Sequence, residues 1–115
     1  MSEDPMTALA DRDCRRCRTA TLDAFGIDPL LAELSDRWRV VGTDRLEGDL
    51  VFPDFAEGLE FVNIVGAIAE AQDHHPELHL SWGKVRVILW THSAGGLTEA
   101  DFVLAARIDR AFEEG

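Results

Sequence analysis

The residues best suited to chemistry in this chain lie between positions 70 and 101. All four histidines occur there, and three of them, His74, His75 and His92, form a group with the acidic residues Glu70 and Asp101. An imidazole titrates near neutral pH, so histidines that share a site can give a proton to one substrate atom and take one from another. This group of residues therefore predicts general acid–base catalysis.

The two acidic residues have structural explanations as well as catalytic ones. Glu70 precedes His74 by one helical turn, where a carboxylate can meet an imidazole or simply face solvent. Asp101 is the third residue after Thr98, which is the spacing of a helix-capping box. The carboxylate of Asp101 can cap this helix and also orient His92, so we expect it to have both roles.

Other residues of this region have simpler explanations that stay open. A helix C-terminus favours a cationic imidazole, so His74 and His75 can serve only to end a helix before Pro76. His79 lies outside the group, and we expect it to be a surface residue. Trp82 is either a packing residue or a wall of the substrate-binding pocket.

A metal site is the alternative use of the histidines. Adjacent histidines such as His74 and His75 can point in divergent directions, and the chain has neither an HExxH motif nor a second CxxC motif. Both cysteines lie in Cys14-Arg-Arg-Cys17, for which incidental thiols, a shared metal site and a redox pair all stay open. We expect a site without metal.

Charge limits the partners that this chain can bind. Its 115 residues carry a formal net charge of −11, which disfavours nucleic acid and anionic membranes and suits a neutral or weakly charged small molecule. No apolar run is long enough to span a bilayer. The acidic N-terminus lacks the features of a signal peptide, so we expect a cytoplasmic protein.

The elements that must position the histidines follow from apolar periodicity. Helices are predicted to start at Asp28-Pro29, at Pro53-Asp54 and at Thr98, with two strands in each interval between them. The order α-β-β-α-β-β-α predicts an α+β fold with three helices packed on one face of a four-stranded antiparallel sheet. We expect residues 1–26 to form a loosely ordered leader and residues 27–115 a single domain.

The second pair of strands is expected to bring two of the histidines together. Gly83-Lys84 is predicted as a two-residue hairpin turn, which pairs Trp82 with Val85. The same register, extended along the hairpin, places His75 opposite His92 with their Cβ atoms about 5 Å apart.

The second helix carries more apolar residues than one sheet can cover. Its predicted apolar stripe consists of Phe55, Leu59, Val62, Val65 and Ala69, and it is widened by Phe61, Ile64 and Ile68. So broad an apolar surface predicts a contact between subunits, in a homodimer or a homotetramer.

One set of identities has the order and spacing of a known signature: Glu70, His74-His75-Pro76, Trp82, His92 and Asp101. This pattern closely resembles the signature of the pterin-4a-carbinolamine dehydratases, and the resemblance extends from about Leu30 to Phe112. It implies conversion of a 4a-hydroxytetrahydropterin to the quinonoid dihydropterin and water, in recycling of the cofactor of aromatic amino-acid hydroxylases. It also implies dimers or tetramers, and neither a metal nor an organic cofactor.

The same resemblance implies that His74, His75 and His92 are catalytic and that Glu70 and Asp101 support them. A histidinium would protonate the leaving 4a-hydroxyl, and a neutral imidazole or a carboxylate would accept the N5 proton. Animal members of the family also serve as dimerisation partners of a homeodomain transcription factor, so a non-catalytic interaction module is the alternative. The intact set of three histidines argues against that alternative.

This chain departs from the family at one position near the histidines. It has Trp90, two residues before His92, where smaller residues are common.

Overall fold

The computed structural model describes residues 9–12 and 20–114 of the chain. Its three helices and four strands are α1 (Ala24–Ala32), β1 (Trp38–Val41), β2 (Arg45–Val51), α2 (Phe55–Gln72), β3 (Glu77–Ser81), β4 (Lys84–Leu89) and α3 (Glu99–Glu114). Short 3₁₀ turns lie at Leu9–Asp11 and His92–Ala94. The predicted order α-β-β-α-β-β-α and the α+β class are confirmed.

The four strands form one antiparallel sheet in the order β1-β2-β4-β3. Side chains alternate between its two faces, and one face is covered by the helices. The fully buried residues of β2 and β4 on that covered face are Leu46, Leu50, Val85, Val87 and Leu89. The opposite face, here called the open face, carries charged and polar residues such as Asp49, His79 and Arg86. Three helices on one face of the sheet agree with the prediction.

The first helix begins four residues earlier than Asp28, so its predicted start at Asp28-Pro29 is wrong. The N-cap is Asp23, whose side chain accepts a hydrogen bond from the backbone N–H of Gly26, and Pro29 lies inside the helix. Asp23 and Asp28 are equally good capping residues by type. The earlier start includes Ile27, which is buried, and thus gives the helix an additional core contact.

The register of the β3–β4 hairpin differs by two residues from the prediction. The structure pairs Leu80 with Val85 and Leu78 with Val87, so Trp82 and Gly83 form the turn. Gly83 has a φ of +80°, which a glycine adopts readily at the third position of a four-residue turn. The shift is an even number of residues, so Leu78 and Leu80 still face the core. It does not place His75 opposite His92, and that prediction is wrong.

Helix α2 starts where it was predicted, and its N-cap is Asp54, whose side chain accepts a hydrogen bond from the N–H of Glu57 at 2.9 Å. Its buried face is rotated from the predicted stripe and consists of Gly58, Phe61, Val65, Ala69 and Gln72. The absence of a side chain at Gly58 explains the rotation. A Cβ at that position would lie 3.1 Å from Leu80 Cδ1, so the glycine lets the helix approach β3.

A part of the predicted leader packs on α3. Leu9 and Ala10 are buried, and the guanidinium of Arg107 donates hydrogen bonds to the carbonyl oxygens of Ala10 (3.0 Å) and Arg12 (2.7 Å). Residues 1–8 and 13–19 lie outside the described residues, and the interpretations of Cys14 and Cys17 fall there. Within the described ranges, no helix is long and apolar enough to cross a membrane.

Candidate active site

Asp101 lies in the first turn of α3 and is completely buried. Its Oδ2 accepts hydrogen bonds from the backbone N–H of Thr98 and from Thr91 Oγ1, both at 2.9 Å. The two threonine hydroxyls are also 2.9 Å apart. The bond from the Thr98 N–H is the acidic half of the predicted capping box, so the capping role of Asp101 is confirmed.

His74 is the third partner of this carboxylate. Its Nε2 lies 2.6 Å from Asp101 Oδ1, and the imidazole is only 6 % exposed. The expectation that Asp101 orients His92 is therefore wrong, because the histidine that is hydrogen-bonded to Asp101 is His74. No hydrogen bond joins Asp101 to His92 among the residues that the structure describes.

The end of α2 explains why His74 points inward. Asp73 caps the helix in the left-handed conformation, with a φ of 54°, which is uncommon for a residue with a Cβ. The cap turns the chain sharply after Gln72, and the N–H of His74 donates to the carbonyl of Ala69 at 3.1 Å. The side chains of the next two residues then differ in their surroundings: His74 is buried, and His75 is exposed.

His75 is paired with Glu70 on the surface. Its Nε2 lies 2.6 Å from Glu70 Oε2, and both side chains are exposed. A contact of Glu70 with His74 at helical spacing, one of the two alternatives left open, is not found, because the αL cap carries His74 out of the helix before it completes that turn. Glu70 thus contacts His75 and not His74.

His92 starts the 3₁₀ turn that follows β4, and its side chain is exposed. The loop is closed by a hydrogen bond from the N–H of Thr91 to the carbonyl of Gly96 at 3.0 Å. The imidazole packs against the indole of Trp90, with ring centroids 4.8 Å apart and planes tilted by 60°.

The three histidines lie at the same end of the β3–β4 hairpin. The pair of β3 and β4 residues nearest this end is Glu77 with Ile88. Two steps further, the same register puts His75 beside Trp90 on the open face. One step beyond that, it puts His74 beside Thr91 on the covered face, which agrees with their shared bond partner, Asp101. At this end of the sheet, His74 is therefore buried, whereas His75 and His92 are exposed.

The family model described as "Pterin 4 alpha carbinolamine dehydratase" matches residues 20–111. The chain belongs to this family. The match takes in α1, the whole sheet, α2 and most of α3.

Relatives of similar length support membership of the pterin 4 alpha carbinolamine dehydratase family. A relative from Alkaliphilus metalliredigens is 39 % identical over 95 % of this chain and 100 % of its own length. One from Chlorobium limicola is 49 % identical over 89 % of this chain and 94 % of its own. Both have been assigned the name pterin-4-alpha-carbinolamine dehydratase. Dehydratases are hydro-lyases, and the protein is an enzyme of that class.

Two solved structures are similar to this pterin dehydratase fold. A transcriptional coactivator/pterin dehydratase from Brucella melitensis has a TM-score of 0.74 and 32 % identity, over 81 % of this chain and 98 % of that one. A pterin dehydratase-like protein, described as a RuBisCO assembly factor in the alpha-carboxysome, has a TM-score of 0.53 and 25 % identity. That match covers 64 % of this chain and 86 % of the other.

One residue of the candidate site, Thr91, was missed by the sequence reasoning, and Thr98 was predicted only as part of the capping box. Their hydroxyls bond to each other, and Thr91 also bonds to the carboxylate that holds His74. A signal for Thr91 was present, because alternation along β4 continues inward at this position after Leu89. A polar residue at an inward position needs a buried hydrogen-bond partner.

Two other residues of the predicted region lie away from the histidine end of the sheet. Trp82 is 73 % exposed in the hairpin turn, and the five residues of β3 separate it from that end by about 16 Å. His79 is exposed in β3, and its Nε2 lies 2.7 Å from Glu77 Oε2. Within one chain, neither Trp82 nor His79 is therefore brought to the group formed by His74, His75 and His92.

The candidate site contains no metal ligand set among its described residues. Across residues 9–12 and 20–114, no three side chains of His, Cys, Asp or Glu are grouped so that they could hold a metal ion. The hydrogen bonds of His74 and His75 to carboxylates fix the orientation of each imidazole.

Proposed function

We propose that this protein is a cytosolic dehydratase that converts a 4a-hydroxytetrahydropterin to the quinonoid dihydropterin and water by histidine acid–base catalysis. We further propose that it serves the recycling of the pterin cofactor used by aromatic amino-acid hydroxylases. In the reaction, the bond between C4a and the hydroxyl oxygen breaks, N5 loses its proton, and a C4a–N5 double bond forms. The observation that carries the proposal is the buried His74–Asp101 pair beside two exposed histidines.

The pair between His74 and Asp101 suits a proton-transfer group of fixed orientation. Asp101 accepts hydrogen bonds from Thr98 and Thr91 on one oxygen, and its other oxygen faces His74 Nε2. An ionised carboxylate can only accept, so Nε2 carries the proton in this bond. Nδ1 is then the nitrogen of His74 that can exchange a proton, and the carboxylate stabilises the imidazolium that results.

The pair between His75 and Glu70 suits exchange of protons with solvent. Both side chains are exposed, and they lie on the open side of the sheet end. Glu70 fixes one nitrogen of the imidazole, which leaves the other nitrogen for the substrate. His92 is the remaining exposed imidazole near this end. One imidazolium can deliver a proton to the leaving hydroxyl, and one neutral imidazole can accept the N5 proton.

Turnover of a 4a-hydroxytetrahydropterin by the purified protein tests this function. The wild-type protein is expected to accelerate loss of the 4a-hydroxyl, followed by the absorbance of the quinonoid product. Replacement of all three histidines by alanine is expected to remove the acceleration. The acceleration would then depend on the site described above, and an unaccelerated wild-type reaction would contradict the proposal.

We also propose that the protein is a homodimer or a homotetramer. On the outer side of α2, Phe55 and Leu59 lie one helical turn apart and are 44 % and 45 % exposed in the single chain, and Ile64, on another side of the helix, is 43 % exposed. Exposed apolar side chains of this kind are typical of subunit contacts. A second copy of this chain is the occupant that the sequence pattern predicts for this surface.

A non-catalytic interaction module of the same fold is the second candidate. It is favoured by the similarity to the pterin dehydratase-like protein described as an assembly factor. An inactive wild-type protein that keeps its fold and its oligomeric state would favour this candidate over the dehydratase.

A further inference from the structure

The three histidines near the sheet end are held in different ways. Asp101 holds His74 and Glu70 holds His75, each through a hydrogen bond of 2.6 Å. His92 makes no hydrogen bond through its side chain to any residue within 9–12 or 20–114. Its packing contact is with Trp90, at 4.8 Å between ring centroids. A catalytic imidazole at the surface needs such a contact, since it otherwise populates several rotamers.

Trp90 is itself fixed from a neighbouring strand. The Cζ atom of Arg45 lies over the indole ring, 4.0 Å from its centroid, which is the geometry of a cation–π contact. Extension of the β2–β4 register by one step from Leu46 and Leu89 places Arg45 beside Trp90. The described part of the chain offers Arg45 no salt bridge, so the indole is the partner that orders its guanidinium.

We infer that Trp90 is a positioning residue for His92 and that Arg45 holds Trp90 in place for this task. The inference rests on the proposed dehydratase function and deepens it. Trp90 acts through His92 and needs no contact with the reacting atoms. Its indole narrows the orientations of the imidazole to those that face the substrate.

The size of the effect follows from the rotamers that the contact excludes. A free histidine has about three χ1 wells and two broad χ2 orientations, so without the indole roughly a third to a sixth of the molecules would hold His92 correctly. We therefore expect Trp90→Leu to lower kcat by about three- to sixfold, with a smaller change in KM. Trp90→Phe keeps an aromatic ring at the position and is expected to recover most of the rate.

A purely structural role for Trp90 predicts a different result. A packing residue would lower the melting temperature on substitution while leaving the imidazole of His92 and the kcat of the folded enzyme unchanged. The position of the His92 ring is therefore the readout that separates the two roles. Its protons lie in the ring current of the indole, so their chemical shifts report the contact directly.

The experiment combines NMR of the histidine side chains with steady-state turnover. His92 signals are assigned by their loss in His92→Asn. The variants are Trp90→Leu, Trp90→Phe and Arg45→Gln, and Phe25→Leu is the control because Phe25 is an aromatic residue 89 % exposed on α1. We expect Trp90→Leu to move the His92 signals and lower kcat, Arg45→Gln to do so to a smaller extent, and Phe25→Leu to do neither.

Unmoved His92 signals in Trp90→Leu would overturn the inference, as would moved signals with an unchanged kcat in an active enzyme. If Trp90→Leu does not fold, the His92 signals and the kcat of Arg45→Gln decide instead, since loss of the guanidinium frees the indole of Trp90. If the wild-type protein shows no turnover, the proposed function fails. The shifts of His92 would then still show whether Trp90 holds the imidazole.

Discussion

His74 and Asp101, which are 27 residues apart in the chain, meet at 2.6 Å where the end of α2 faces the start of α3. The same carboxylate binds Thr91 at the end of β4 and the backbone of Thr98. Three separate segments of the chain are thus joined at one buried acid. The position of His74 is therefore as fixed as the packing of the core around it.

The exposed histidines are expected to carry part of the chemical step. General acid–base groups typically contribute about 10²- to 10⁴-fold, so His75→Ala or His92→Ala should lower kcat by at least about tenfold. His79→Ala is the matched control, because His79 is an exposed histidine that also pairs with a neighbouring carboxylate. We expect it to change kcat by less than about threefold. Full activity of both former variants would show that the site is elsewhere.

Turnover should not depend on a metal ion. The proposed reaction needs only proton donors and acceptors, so dialysis against a strong chelator should leave kcat unchanged. Atomic absorption on the dialysed sample checks that metals have been removed. A rate lost on dialysis and restored by zinc or iron would contradict this prediction.

The fold was largely predictable because its signals are local. Asp54 caps α2 through its own side chain, and the apolar spacing of α3 at Leu104, Ala105 and Ile108 marks the face that is buried. The alternation of apolar and polar residues in β4 likewise predicted which of its side chains face the core. Each of these features is decided within a few residues of the chain, so it can be read without knowledge of the tertiary structure.

The geometry of the site was less predictable because it depends on single backbone choices. The αL conformation of Asp73 decides that His74 turns inward and that Glu70 meets His75. The choice between two turns that both contain Gly83 shifts the hairpin register by two residues. Neither choice changes the apolar pattern, so the pattern could not distinguish them.

The outer surface of α2 is expected to hold subunits together. Light scattering at micromolar concentration should give two or four times the 12.8 kDa of one chain. Leu59→Glu should shift the mass toward the monomer, because it introduces a charge into the apolar contact. Phe25→Glu controls for charge on another exposed apolar residue. A monomeric wild-type protein would contradict the proposed assembly.

Asp49 should make stability depend on pH. Its hydrogen bond from Arg86, the facing residue of β4, lowers the pKa of the carboxyl below its ordinary value of 3.8. A lowered pKa stabilises the folded state above the unfolded pKa of about 3.9, and the contribution disappears as pH falls through the folded value. Urea unfolding should therefore show wild type more stable than Asp49→Asn at pH 6, with the difference shrinking below about pH 4. A difference that stays constant down to pH 2 would contradict this origin.

Asp101 and Asp109 allow a comparison of two buried acids on one helix. Asp109 is also nearly buried, and it accepts hydrogen bonds from Ser35 and Trp38 at the other end of α3. An asparagine at either position turns an NH₂ group toward groups that donate, which should destabilise the fold by about 1–3 kcal/mol. Urea unfolding should show similar losses for Asp101→Asn and Asp109→Asn.

The kcat of these two variants for dehydration of a 4a-hydroxytetrahydropterin, measured where both are fully folded, tests the role of the His74–Asp101 pair most directly. Asp101→Asn cannot stabilise an imidazolium at His74, so its kcat should fall by at least about tenfold. Asp109→Asn, with a comparable loss of stability, should keep kcat within about threefold of wild type. Equal effects of the two substitutions on kcat, whether large or small, would contradict a catalytic role for the pair.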